Sequence, residues 1–146
     1  MDAAFTDKLL RAVRPETPTQ REDPQAILHR AFEAVIAGDF GAFAESLAET
    51  VELSICGFGP MNGRWQGRDE VVEATRKNFA LVSGQQPEVE SMIAQDNAIA
   101  VLLRESGTLK STGEAYSIRG VQWFTVADGK IQRIEEIIAS LWKQES

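Results

Sequence analysis

The strongest hydrophobic-polar pattern in the chain lies between Gly113 and Ile138, GEAYSIRGVQWFTVADGKIQRIEEII. Two β-rich runs flank Asp128-Gly129, and this pairing predicts a hairpin because both central positions of the favoured turn take φ above zero. On the first run, Tyr116, Ile118, Gly120, Gln122, Phe124 and Val126 share one face, and Ser117, Arg119, Val121, Trp123 and Thr125 share the other. The first face is the more apolar and is placed inward. Trp123 and Val121 are then left on an outer face too greasy for an ordinary wetted sheet.

Upstream, the pattern changes to helical spacing. Phe5, Leu9, Leu10 and Val13 predict a short N-terminal amphipathic helix, and the prolines between Arg14 and Pro24 predict a linker. Asp23-Pro24 opens a longer helix with its stripe at Ile27, Leu28, Ala31, Phe32, Val35 and Ile36, ended by Gly38. Asp39 caps a shorter helix through Phe40, Phe43, Ala44 and Leu47. Val51 to Cys56 alternates as a half-buried strand, and GFGPMNGRWQG follows as a long loop, read as a flap holding Phe58, Met61 and Trp65. Arg68 to Val82 predicts a third helix stopped by Ser83-Gly84, with Val71, Val72, Thr75, Phe79 and Val82 inward. Glu88 to Ala94 and Ala98 to Leu109 predict a hairpin turning at Asp96-Asn97, and periodicity turns Glu105 inward. The order is helix, helix, strand, helix, then four strands in two hairpins: an α+β plan in which a meandering antiparallel sheet curls around the helices.

Composition narrows the function classes. With 146 residues, 43% hydrophobic and 25% charged, the chain is long enough to bury a core without metal or disulfide help. A net charge of -7 argues against nucleic acid and anionic membrane surfaces, which both require a basic face. No apolar run approaches the roughly 18 residues of a membrane span, and the start MDAAFTDKLL lacks the plan of a signal peptide. The single cysteine, Cys56, has no internal disulfide partner, so a cytoplasmic location is expected. One His and one Cys cannot close a zinc site, so neither a metal nor another cofactor is expected.

The segments AVIAGDFGAF (Ala34 to Phe43), Gly67-Arg68-Asp69-Glu70-Val71 and DGKIQRI (Asp128 to Ile134) resemble the SnoaL-like branch of the nuclear-transport-factor-like superfamily. The likeness spans about Pro24 to Ser140, so residues 1–23 read as an extension and 24–146 as the domain. The resemblance implies a cystatin-like α+β cone of three main helices on a curved antiparallel sheet. It also implies a ligand pocket within the cone and a homodimer through the outer sheet face. Ketosteroid isomerases and limonene epoxide hydrolases share the superfamily, but their catalytic groups are not reproduced. Leu53 stands at the isomerase's general-base position, Ala31 at its tyrosine and Gly120 near its companion acid. Isomerisation by that route lacks both its base and its oxyanion donors. Of the hydrolase's Asp-Arg-Asp set, Glu136 resembles the last acid and Arg104 or Glu105 lies near the arginine. The remaining acid position reads Ser106 or Gly107.

The candidates for chemistry come from the inward face. Glu136 lies between Ile134 and Ile138, where desolvation raises a carboxyl's pKa and makes it a candidate acid or base; Glu105 follows by the same argument. His29, the only histidine, is the third candidate, although a lone helix-rim histidine is more often structural. Tyr116, Gln122 and Phe124 on the inward face are candidate ligand contacts; Trp65 either walls the ligand or pins the flap to the third helix, and Arg104, if inward, is a ligand contact and charge partner for Glu136, a solvated strand charge being its more usual role. The leading expectation is a small, largely apolar, cyclic ligand, with cofactor-free isomerase, cyclase or hydratase chemistry. The rival is a dimeric binding module whose cone is filled by its own side chains.

Overall fold

The computed structural model describes residues 23–140, so the expected helix at Phe5 to Val13 and its linker lie outside the described residues. Helix α1, Pro24–Ile36, starts as its sequence requires: the Asp23 carboxylate accepts from the Gln25 N–H at 3.0 Å and proline occupies the first turn. Ile27, Leu28, Ala31 and Ala34 form its buried face. Helix α2, Phe40–Glu45, is capped by Asp39, which accepts from the Ala42 N–H at 3.0 Å. It stops two residues before Leu47, which instead begins strand β1, Leu47–Cys56, and pairs there with Ile131. Complete burial of Leu47 in the sheet outweighs its place on a helical stripe.

The segment expected as a loop is partly regular. A short 3-10 turn, Gly59–Met61, leads into strand β2, Gly63–Gln66, which pairs antiparallel with β1. Four residues containing a glycine show too little alternation to be read, and the strand exists through its hydrogen bonds to β1. The apolar contacts expected of this flap are present, since Phe58 is fully buried and Trp65 packs against the main core. Helix α3, Arg68–Ala80, ends before Val82, which opens strand β3, Val82–Gln95. That strand begins six residues earlier than the alternation at Glu88 indicated. Register shifts between Ser83 and Gln86 and between Val89 and Ser91 scramble its pattern, and Pro87 is tolerated because β3 is an edge strand.

The inner strands follow their sequence closely. Strand β4 is Ala98–Leu109, β5 is Ala115–Ala127 and β6 is Lys130–Ser140. Between the last two, Asp128 and Gly129 have φ of 54° and 75°, the double-positive turn that Asp-Gly predicts. The six strands run in the order β2-β1-β6-β5-β4-β3 as a curved, unclosed sheet against three helices. The pairing is mixed rather than wholly antiparallel, because β1 lies parallel to β6. A parallel pair requires a long crossover, and here α3 and the other strands supply it.

Two apolar clusters form the core between sheet and helices. Ile27, Leu28, Val71, Val101, Phe124 and Ile134 belong to the larger, in which Phe32 meets Phe124 edge to face with ring centres 5.7 Å apart. Phe58, Val82, Tyr116 and Ile118 form the smaller. On the outer face Ile93, Trp123 and Ile137 are 67%, 43% and 61% exposed, an apolar scatter in keeping with the expected greasy surface.

Gly120 lies between these clusters at a close approach of two backbones: a Cβ there would stand 2.5 Å from the Ile137 carbonyl oxygen. Replacing a strand glycine normally adds stability, but here the clash prevails. Gly120→Val is expected to destabilise the fold by about 1–3 kcal/mol, measured by urea denaturation; unchanged stability would refute the close approach.

Candidate functional site

The alternation of three neighbouring strands builds one wall of the site. On the inward face, Gln122 of β5 sits opposite Glu136 of β6, and the next inward row places Gly120 opposite Ile138 and Leu103. Glu105 of β4 lies one row further, opposite Ile118. Glycine at 120 contributes no side chain, so a hollow remains between the two carboxyl-bearing rows. Thr75, Asn78 and Phe79 of α3 cover it from the helical side, and Gln85 of β3 and Met61 of the flap close its rim. The cavity measures about 160 Å³. This is close to the size of an engineered apolar cavity of about 150 Å³ that holds one benzene ring.

The two acids share this hollow but are held differently. The Tyr116 hydroxyl donates to Glu105 Oε2 at 2.5 Å, and the Gln85 side chain makes a second hydrogen bond to the same carboxyl. Desolvation nevertheless raises the Glu105 pKa above the ordinary carboxylate value, with both hydrogen bonds opposing the shift. Burial, together with the hydrogen bond and charge of Glu105, pushes the Tyr116 phenol upward, so it stays a neutral donor. Among the described residues Glu136 has one side-chain hydrogen-bond partner, the Gln122 amide. Desolvation pushes its carboxyl up to about 7, Gln122 partly offsets this, and the charge of Glu105 adds to it. Part of the Glu136 residue reaches solvent, yet its carboxyl faces the hollow. An acid poised near neutrality can exist in either protonation state under working conditions.

Of the residues singled out from the sequence, Glu136, Glu105 and Gln122 line the cavity together, and Tyr116 stands behind Glu105. The other four lie elsewhere. Arg104 is on the outer face, because it alternates with inward Leu103 and Glu105; there it and Arg119 converge on Glu90, at 3.3 and 2.9 Å. Its assignment as a ligand contact is therefore corrected. Phe124 is core, packed on Phe32 below the cavity. Trp65 lies over Gly63 and borders a separate surface cleft with Arg64 and Arg133, so Met61 is the flap's contribution to the pocket. His29 pairs through Nε2 with Glu33 one turn along α1, and its buried Nδ1 has no hydrogen-bond partner. It does not line the cavity.

Asn78 and Gln85 were not anticipated. Thr75 and Phe79 mark the inward stripe of α3, and Asn78 beside them carried a readable signal as a polar group at its edge. Gln85 carried none, since it precedes the alternating part of β3. Cys56 is exposed at the end of β1. Among the described residues no group of three or more His, Cys, Asp or Glu is arranged to hold a metal, and no helix is long and apolar enough to cross a membrane.

Fold and site together define an α+β cone with a carboxyl-bearing pocket between its sheet and helices. The chain belongs to the SnoaL-like domain family, whose model matches residues 28–134. Among solved structures, an NTF2-like protein from Burkholderia xenovorans LB400 superposes with a TM-score of 0.71 at 24% identity, over 82% of this chain and 91% of that one. A Mycobacterium tuberculosis protein in complex with estradiol-17beta-hemisuccinate has a TM-score of 0.67 at 18% identity, over 84% and 95% of the two chains. TerC, co-crystallised with polyporic acid, has a TM-score of 0.66 at 17% identity, over 78% and 89%. Comparison with curated protein sequences returns no significant match. At these identities the likeness establishes the fold, and chemistry is argued from the pocket.

The raised Glu136 pKa has a consequence for stability. The native carboxyl keeps its proton up to about pH 7, whereas the unfolded one loses it near 4.5, so the native state binds more protons between these values and stability falls as pH rises through that window. The loss from Glu136 is about 3 kcal/mol, and Glu105 acts in the same direction. Glu136→Gln removes the Glu136 part of this slope. Urea denaturation from pH 4.5 to 8 is expected to show the variant gaining on the wild type with rising pH; parallel curves would contradict the desolvated carboxyl.

Proposed function

We propose that the protein binds a small organic ligand, largely apolar and cyclic, in the cone, and moves a proton on it with Glu136 as acid or base. The observation that carries this reading is the carboxyl of Glu136 poised near 7 inside a hollow otherwise walled largely by Leu53, Ile55, Phe79, Leu103 and Ile138. In an isomerisation or cyclisation, the ionised carboxyl takes a proton from the ligand and returns it at another atom, so no cofactor is consumed. Glu105 is pinned by Tyr116 and Gln85, which suits it to positioning and to holding the potential at Glu136. His29, Trp65 and Phe124 have no part in this scheme. Solved relatives of the same fold that hold a steroid ester and polyporic acid support a ligand role for the cone. A non-catalytic module with a filled cone fits less well, because the cavity is open.

We further propose that the protein works in the cytoplasm as a homodimer through the outer sheet face, where Trp123 and Ile137 are exposed.

The catalytic reading is tested on a ligand found by thermal-shift screening, where saturation at about 100 times Kd raises native stability by about 2.7 kcal/mol. Glu136→Gln is expected to lower kcat by about 10²–10⁴-fold with KM within a few-fold of wild type; unchanged turnover would exclude Glu136 as the proton carrier. For the assembly, Trp123→Glu combined with Ile137→Glu is expected to give a folded monomer in sedimentation velocity. A monomeric wild-type protein would dismiss the dimer.

A further inference from the structure

The polar equipment of the cavity is one-sided. Among the sixteen described residues lining it there is no Lys, Arg or His, while Glu105 and Glu136 both face it. The outer-face arginines Arg104 and Arg119 are spent on Glu90 across the sheet. A ligand carboxylate or phosphate placed here would meet like charge in a desolvated setting, with no cation among the described lining residues to offset it.

The hydrogen-bonding groups lean the same way. Thr75 donates its hydroxyl hydrogen to the Val71 carbonyl at 2.8 Å, so only its lone pairs face inward. Gln122 is the sharper case. Its amide hydrogen bonds the Glu136 carboxyl, and its Oε1 is buried with no hydrogen-bond partner among the described residues. When Glu136 is ionised its carboxylate only accepts, so it then engages the Nε2 end and the orphaned oxygen is fixed by that contact. A buried acceptor left without a donor is costly, and a ligand that supplies the donor recovers that cost on binding.

Building on the ligand-binding reading above, we infer that the pocket selects a single-ring compound, neutral or cationic, that carries a hydroxyl or N–H donor which Gln122 Oε1 accepts. Anionic rings are excluded by the two carboxyls. Rings with acceptors alone are disfavoured because they leave Oε1 unpaired. The size follows from the cavity of about 160 Å³, close to that of a one-ring cavity. The donor that meets Gln122 also lies beside the strand partner of that residue, Glu136, so the group that is recognised and the proton that is moved occupy the same corner.

The test is a calorimetric panel of size-matched rings on the full chain at about pH 8, where Glu136 is largely ionised: phenol and benzylamine as donors, anisole and acetophenone as acceptors only, benzoate as the anion, and naphthol for size. Phenol or benzylamine is expected to bind at least about tenfold more tightly than anisole and acetophenone, with benzoate and naphthol weaker still. Gln122→Met, which keeps the volume and removes the acceptor, is expected to erase the difference between donor and acceptor rings while keeping the native circular dichroism. Gln122→Leu is a second acceptor-free variant if the methionine does not fold, and it is likewise expected to erase the preference for donors; a preference kept in either folded variant overturns the inference. Equal or tighter binding of acetophenone or benzoate overturns the inference and leaves the ligand-binding reading intact, as does tighter binding of naphthol. Failure of every compound to bind removes the ligand-binding reading and the inference with it.

Discussion

The register of the β5–β6 hairpin is the constraint on which the rest of the molecule depends. A strand presents alternate residues to opposite faces, so a slip of one position on β6 would turn Glu136 to solvent and bring Glu135 and Ile137 inside. The two-residue Asp128-Gly129 turn, with both residues at positive φ, pairs Val126 with Ile131, and a register shift between Thr125 and Val126 then moves the pairing by one residue, so that Gln122 meets Glu136 rather than Glu135. Strand β6 is paired on both sides, with β1 and β5, and the register is therefore passed to the strand carrying Leu53 and Ile55 as well. The turn and the register shift beside it together decide which acid the cone encloses.

Enclosing a carboxyl is unfavourable by itself, and the surroundings account for its persistence. Glu105 is satisfied by two donors, a tyrosine and a glutamine, and its position is fixed. Glu136 has Gln122 alone among the described residues, and burial raises its pKa by more than that one hydrogen bond offsets. The hollow between them exists because Gly120 leaves its row bare where the backbones of β5 and β6 come too close for any side chain. The same contact therefore shapes the sheet and opens the pocket. Two similar residues acquire different properties from their neighbours alone, a fixed group in one case and a titrating group in the other.

The central strands were readable and the edges were not, for a physical reason. Strands β4, β5 and β6 are paired on both sides and buried on one face, so alternation between faces is imposed on nearly every residue, and it placed Glu105, Gln122 and Glu136 correctly. Edge strands β2 and β3 are held by a single neighbour and carry glycines, a proline and bulges, which blur the same signal. Trp65 and Gln85 lie there, and the sequence left the first open between a pocket wall and an anchor for the flap and was silent on the second. Phe124 shows another limit: facing inward does not distinguish a residue that lines the hollow from one that packs beneath it.

Local chemistry by itself determined the helix starts at Asp23 and Asp39, the hairpin turn, the inward face of each central strand and the family likeness, since these rest on caps, glycines and periodicity among neighbours in the chain. Tertiary structure decided the parallel pairing of β1 with β6, the turning of Leu47 and Val82 into the sheet, the pairing of Arg104 with Glu90, and the gathering of Asn78, Gln85 and Met61 around the two acids. Those outcomes depend on which distant segments compete for the same hydrogen bonds and the same buried volume. No window of neighbouring residues contains that competition.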